Sequence, residues 1–130
     1  MKILMIILTL TMMSSLWAKV IKCQTKADAQ PYDVYTVEIN SDGVSRISYD
    51  RTPFSQSSVQ STNKKVPGCY PAQNTVDTPR GIYIECDGDG DAGYLLITKA
   101  NDQLTAVLSF PAGNIGYPED TVLDLICTQE

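Results

Sequence analysis

Apolar and polar residues alternate along most of the chain that follows residue 18. Segment 33–40 shows this most clearly, because Tyr35, Val37 and Ile39 share one face and the residues between them are polar or charged. A period of two residues is the period of a β-strand. The pattern recurs, at a spacing of about ten residues, in segments 19–24, 44–50, 81–86, 93–99, 103–110 and 121–128. The sequence therefore predicts an all-β domain, a small antiparallel β-sandwich or β-barrel of six to eight strands.

Two stretches interrupt this pattern. Segment 51–79 is rich in serine and contains four prolines, so it is not expected to supply a long central strand. We expect it to be an excursion with one edge strand near residues 58–64. Segment 111–120 is expected to be a second loop.

Residues 1–18 have the layout of a secretory signal peptide. Lys2 gives a positive start, residues 3–13 are apolar apart from threonines, and Ala18 is a small residue suited to cleavage. The apolar run is too short for a membrane-spanning helix, and no later stretch is apolar enough to form one. We therefore expect a single domain of residues 19–130 that is exported to a bacterial periplasm or the extracellular space, without a membrane span.

All four cysteines lie after the predicted leader, which favours disulfides. Four cysteines allow three pairings. We favour Cys23–Cys127, which would join the opening strand to the closing one, together with Cys69–Cys86, which would tie the 51–79 excursion to a core strand. No Cys-x-x-Cys motif is present, so a zinc site or a redox role is less favoured than structural disulfides.

The composition removes most catalytic chemistry. The chain has no histidine, which excludes Ser-His-Asp and Cys-His nucleophile systems and the common zinc sites. It has no glycine-rich phosphate loop. The net charge of −5 does not attract nucleic acid or anionic lipid, so neither is expected as a partner. We therefore expect a protein that is not an enzyme. A carboxylate-dependent enzyme acting on polysaccharide is the less favoured alternative, because glycosidases need only two carboxylates.

An acidic turn follows the segment 81–86. Asp87, Asp89 and Asp91 alternate with small residues, as in the first half of an EF-hand calcium loop. Ala92 and Thr98 stand where that loop needs glycine and a bidentate glutamate. Asp-Gly repeats are also common in β-hairpin turns. A plain hairpin turn is the favoured interpretation, and a calcium site is the alternative.

Three of the seven tyrosines are candidate binding residues. Tyr83 falls on the face opposite Ile82 and Ile84, so it should be exposed if those two are core. Tyr94 follows the acidic turn, and Tyr70 follows a cysteine. Exposed tyrosine offers a large, stiff contact area with a polar tip, which suits recognition. The alternative is that these rings are ordinary residues of a half-buried sheet.

Segment 95–108 is similar to part of the small, disulfide-bonded β-barrel lysozyme inhibitors that Gram-negative bacteria export. The similarity consists of an apolar strand, Lys99, a polar turn and a second apolar strand that begins at Leu104. The aromatic residue that this family has shortly before the lysine is missing, and Ala100 replaces the glycine after it. The resemblance implies only that a small, disulfide-bonded β scaffold of this kind can serve as an inhibitor.

These observations together predict an exported binding protein that presents loops or a sheet face to a protein or glycan partner. The expected recognition elements are the loops at 51–79 and 111–120 and the exposed tyrosines, since loops on a rigid scaffold commonly carry recognition. The alternatives are a β-barrel that holds a small ligand in its interior and a structural component of the cell envelope.

Overall fold

The computed structural model describes residues 18–25, 32–52, 63–87, 93–113 and 119–130. The predicted leader up to residue 17 lies outside these ranges. The described residues form nine β-strands and no helix. The strands are β1 (Lys19–Thr25), β2 (Tyr32–Ile39), β3 (Ser45–Thr52), β4 (Lys64–Lys65), β5 (Asn74–Thr78), β6 (Gly81–Glu85), β7 (Tyr94–Ala100), β8 (Gln103–Phe110) and β9 (Thr121–Gln129).

All nine strands belong to one antiparallel sheet in the order β4-β3-β2-β1-β9-β8-β7-β6-β5. The two edge strands, β4 and β5, follow each other in the sequence, so segment 64–78, the closing segment, runs from one edge of the sheet to the other. It bonds to β3 along its way, because the Ile47 amide donates to the Cys69 carbonyl (2.8 Å) and the Ala72 amide donates to the Ser45 carbonyl (2.8 Å). The sheet is therefore curled into a half-barrel.

The closing segment also approaches the end of β6 at Gly68. The Asp87 amide donates to the Gly68 carbonyl at 2.7 Å. Gly68 has a φ of +76°, and a side chain there would collide with the Asp87 carbonyl oxygen. Only glycine fits both conditions without strain.

The inward-facing side chains of the curled sheet form the core. They are arranged in rows across neighbouring strands, because antiparallel pairing places residues of one face side by side. On β1–β3 these rows are Lys19–Ile39–Ser45, Ile21–Val37–Ile47, Cys23–Tyr35–Tyr49 and, on β2–β3, Asp33–Arg51. On β6–β9 they are Ile82–Ile97–Ala106–Leu125 and Ile84–Leu95–Leu108–Leu123. The apolar members are buried apart from Leu123, which packs against them.

Both favoured disulfides are confirmed. Cys23 and Cys127 face each other on β1 and β9, with their Cα atoms 4.0 Å apart. Cys69–Cys86 joins the closing segment to the residue that follows β6. The sequence separations of 104 and 17 residues correspond to about 4–5 and about 3 kcal/mol of stabilisation in the loop-closure model.

The half-barrel has two different ends. At one, the turn end, short connections at 40–44, 79–80 and 101–102 join β2–β3, β5–β6 and β7–β8. The last of these is a two-residue turn in which Asn101 and Asp102 both have positive φ, as tight β-hairpins require. At the other, the loop end, the longer connections 26–31, 53–63, 86–93 and 111–120 begin.

The fold confirms the all-β prediction and refines it in three respects. The described residues form nine strands, against the six to eight expected, and these strands make one curled, barrel-like sheet and not a sandwich. The edge strand expected near 58–64 is β4, at Lys64–Lys65, and residues 58–62 lie outside the described ranges. Strand β5 was not predicted, because its inward positions are the polar Thr75 and Asp77 and it shows no apolar alternation.

Candidate binding face on the outside of strands β5 to β9

Four apolar side chains lie side by side on the outer surface of the sheet. Val76 pairs with Tyr83, Tyr83 pairs with Leu96, and Leu96 pairs with Val107, so the four occupy one register position on β5, β6, β7 and β8. We call these four residues the outer row. At the usual strand spacing the row is about 14 Å long. Val76, Tyr83 and Leu96 are exposed and Val107 is half-buried.

Tyr94 extends the outer row towards the loop end. It lies two residues before Leu96 on the same outward face of β7, and its ring centroid is 6.0 Å from that of Tyr83, with the ring planes inclined at 34°. This separation is typical of interacting aromatic pairs. Two of the three tyrosines singled out from the sequence are therefore adjacent in the structure.

The outer row arises because β6, β7 and β8 carry apolar residues on both faces. In β7 the run Leu95-Leu96-Ile97 places Leu96 outside and its two neighbours in the core. In β8 Val107 lies outward between the buried Ala106 and Leu108. Continuous apolar runs are typical of strands that are covered on both faces. These runs were the sequence signal for the outer row, and no described element covers its outer side.

A groove lies beside the outer row on β8 and β9, near the turn end. Its volume is about 610 Å³, and the residues that line its outward side include Gln103, Thr105, Ile126 and Thr128, with Asp102 at the turn. Thr105 pairs directly with Ile126, which is exposed. Thr105 is also two residues from Val107, so the groove continues the outer row onto β9.

The charged residues of this surface are all acidic. Among the outward-facing strand positions of β5–β9, which the structure describes in full, Glu85 and Asp124 are charged and none is basic. Asp124 pairs with Val107 at the end of the outer row, and Glu85 pairs with Tyr94. The apolar surface is therefore bordered by carboxylates, together with threonines.

The other residues predicted as site residues lie elsewhere. Tyr70 lies on the closing segment, whereas Tyr83 and Tyr94 lie on β6 and β7. The centroid of the Tyr70 ring is 4.9 Å from the Lys65 ammonium, which is a cation–π contact. Asp87 is exposed, and its amide bonds to Gly68. Asp89 and Asp91 lie outside the described residues, so the calcium site stays a prediction. Within the described ranges no group of three potential metal ligands occurs.

Sequence reasoning missed a buried polar cluster at the loop end. Asp33 points inward from β2 and is fully buried. Arg51 holds its carboxylate with two bonds, Nε to Oδ1 at 2.9 Å and Nη2 to Oδ2 at 3.1 Å. The Tyr35 hydroxyl donates to Oδ2 at 2.9 Å, and the Thr25 hydroxyl accepts from the Asp33 amide at 3.0 Å. A sequence signal existed, because Asp33 is in phase with the inward Tyr35.

A second, more accessible cluster lies at the turn end. The Lys19 ammonium is 2.5 Å from Asp77 Oδ2, and the Lys99 ammonium is 3.5 Å from Asp77 Oδ1. Partial burial acts to raise the pKa of Asp77, but the hydrogen bond and charge of Lys19, joined by Lys99, outweigh it and hold that pKa below its usual value. Lys99, the residue on which the lysozyme-inhibitor resemblance depended, is therefore engaged in an ion pair with Asp77.

Comparisons of the chain with protein-family models, with curated proteins and with solved structures found no match. No helix in the described ranges is long and apolar enough to cross a membrane. The two disulfides are compatible with an oxidising environment such as the periplasm or the extracellular space.

Proposed function

We propose that the chain is an exported, non-enzymatic binding protein that presents its outer row, together with Tyr94, to a protein partner. The observation that carries this proposal is the alignment of Val76, Tyr83, Leu96 and Val107 in one register row on the outside of the sheet. Contiguous apolar surface bordered by polar residues is typical of interaction sites. Aromatic residues at the centre of such a surface commonly supply much of the binding energy.

A protein partner is favoured over a glycan partner by the composition of the row. Three of its four members are aliphatic and offer no hydrogen bond to sugar hydroxyls. The two tyrosine rings are inclined to each other at 34° and do not form a flat platform. Aliphatic and aromatic side chains together suit an apolar protein surface.

The interior offers less support for the small-ligand alternative. The inward positions are occupied by large side chains that are fully buried, among them Tyr35, Ile47, Ile82, Leu95 and Leu108. The grooves beside β8 and β9 are lined partly by outward-facing residues. Recognition on the outer surface is therefore the better-supported form of binding.

The carboxylate-enzyme alternative also has limited support in the described residues. The two inward carboxylates, Asp33 and Asp77, lie at opposite ends of the half-barrel, and each is bonded to cationic side chains. A glycosidase needs two carboxyl groups within about 5–10 Å of each other on either side of the substrate bond.

The proposal is tested by capture from envelope and culture-medium extracts with oxidised protein of residues 19–130. Four baits are compared: wild type, Leu96→Ser, Tyr83→Ser and Val122→Ser. Val122 is the matched control, since it is an aliphatic residue outside the row and is more exposed (66%) than Leu96 (41%). A specific site predicts a protein that wild type and Val122→Ser retain and that both row variants lose.

Two results would contradict the proposal. Equal loss with Val122→Ser and with the row variants would mean that exposed apolar surface binds without specificity. Retention of soluble peptidoglycan or chitin fragments by wild type, with loss in Tyr83→Ser, would instead support a glycan partner. Unfolding curves of all four baits show whether any loss reflects misfolding.

A further inference from the structure

We infer that the partner inserts an apolar side chain, flanked by lysine or arginine, into the groove on the outer side of β8 and β9. This inference rests on the proposed function and specifies the chemistry of the partner. It combines two observations, the exposed apolar wall of the groove and the carboxylates of Asp102 and Asp124 beside it.

The groove is shaped to receive an apolar side chain. Ile126 is 50% exposed although its strand neighbours Leu125 and Cys127 are buried. It stands beside Thr105, and the groove volume of about 610 Å³ exceeds that of any single side chain. Burying one aliphatic or aromatic side chain there removes its apolar surface from water, which favours binding.

Carboxylates lie along the groove and the adjoining row. Asp102 lines the groove at the β7–β8 turn, and Asp124 stands outward beside Val107. The lysines close to the groove are each paired with a carboxylate. Lys22 on β1 lies beside Thr128 at the groove and contacts Glu130 at 2.8 Å, and Lys99, which lines an adjoining hollow of about 420 Å³, contacts Asp77 at the turn end. The local field therefore favours a cationic partner, since complementary charges steer association and wrong charges oppose it.

A second copy of the chain is a poor occupant for the same reason. Pairing two such faces would bring the carboxylates of Asp102, Asp124 and Glu85 on one copy towards those on the other. Like charges placed together in an interface are unfavourable and act against that partner. The net charge of −5 adds to the repulsion. The structure therefore points to a different protein with a basic rim.

The test uses a displayed library of random twelve-residue peptides as the probe, selected at low salt on immobilised wild-type protein. Peptides that wild type retains and Ile126→Ser does not are sequenced. We expect them to share one apolar anchor with lysine or arginine within a few positions of it. Val122→Ser, which changes a more exposed residue on the same strand outside the groove, should retain the same peptides.

Charge is tested with one selected peptide in solution. We expect the double variant Asp102→Asn/Asp124→Asn to bind it about tenfold more weakly at low salt, and the difference from wild type to shrink at high salt. Asp42→Asn/Glu119→Gln is the control, because it makes the same change in net charge at exposed positions away from the groove.

The outcomes separate this inference from the proposed function. Any of three results would overturn the inference. The selected peptides could lack basic residues, no peptide could depend on Ile126, or the Asp102/Asp124 variant could bind as wild type does. The proposed function would still stand if Leu96→Ser and Tyr83→Ser lost the captured protein. If those two variants retained it as well, both proposals would be wrong.

Discussion

Both ends of the half-barrel hold an inward-facing carboxylate, but in different surroundings. At the loop end Asp33 is 0% exposed, and Arg51 bonds to both of its oxygens. At the turn end the Asp77 side chain is 30% exposed and is shared by two lysines. The loop-end cluster is also completed by the hydroxyl groups of Tyr35 and Thr25, whereas the lysines of the turn end are in partial contact with water.

This difference indicates that the loss of stability on breaking a charge pair depends on how deeply the pair is buried. A buried carboxylate that loses its partner is left without compensation in a medium of low polarity, so breaking the pair is costly. A partly exposed carboxylate that loses its partner is hydrated instead, so the cost is small. The two ends of one small domain therefore allow a direct comparison of the two cases.

The largest effect is expected for Arg51→Met. This change removes both bonds to Asp33 and leaves its carboxylate buried, so we expect the free energy of unfolding to fall by about 3–5 kcal/mol. Urea unfolding of the oxidised protein measures the loss. Lys64→Met, which replaces an exposed cation on the neighbouring strand β4, is the matched control and should change little.

The double variant Asp33→Asn/Arg51→Met shows whether the loss of stability comes from the buried charge of Asp33 once its arginine is removed. With the carboxylate neutralised, we expect the double variant to be more stable than Arg51→Met, and the difference gives the coupling between the two residues. If the single and double variants are equally unstable, the loss is due to packing of the arginine and not to its charge.

A smaller effect is expected for Asp77→Asn at the turn end. Because the pair is partly hydrated, we expect a loss of at most about 1 kcal/mol at low salt, and less when salt screens the lysines. The same urea experiment at two salt concentrations measures it. A loss as large as that of Arg51→Met would show that the two ends do not differ as their burial indicates.

The smallest effect is in the pH dependence at the turn end. The pKa of Asp77 is below its usual value of 3.8 in the fold, so its contribution is fully present above that value and is lost as the pH falls through the lower, folded-state pKa. We therefore expect wild type and Asp77→Asn to differ in stability at pH values above 3.8 and to converge as the pH falls well below 3.8. Thermal melts across this range measure it, and a constant difference would contradict it.

The strands with apolar alternation could be predicted residue by residue. The inward faces of β2 and β6 were predicted correctly because each places a hydrophobic residue at every second position. These faces depend on local sequence, which carries the period of the strand directly. The disulfides were favoured on other grounds, because Cys23 and Cys127 lie in the first and last predicted strands and Cys69 lies in the polar segment 51–79.

Strand β5 and the outer row could not be predicted in the same way. Strand β5 has no apolar inward residue and is held by its pairing with β6 and by the contact between Ser45 and Thr75, whose hydroxyl oxygens are 2.6 Å apart. The outer row requires the register of four strands at once. Register across strands is a property of the assembled sheet, and a shift of one residue would move Leu96 to the other face.

The sequence by itself determined the all-β class, the faces of the main strands and the exposure of Tyr83, because each follows from a period of two residues. It favoured one of three possible cysteine pairings, and the structure confirmed that one. Only the tertiary structure decided that the sheet curls into a half-barrel closed by segment 64–78. It also brought Tyr83 beside Tyr94, Asp33 opposite Arg51, and Lys19 to Asp77. Those contacts join residues of different strands, and their geometry depends on how the whole sheet pairs and curls.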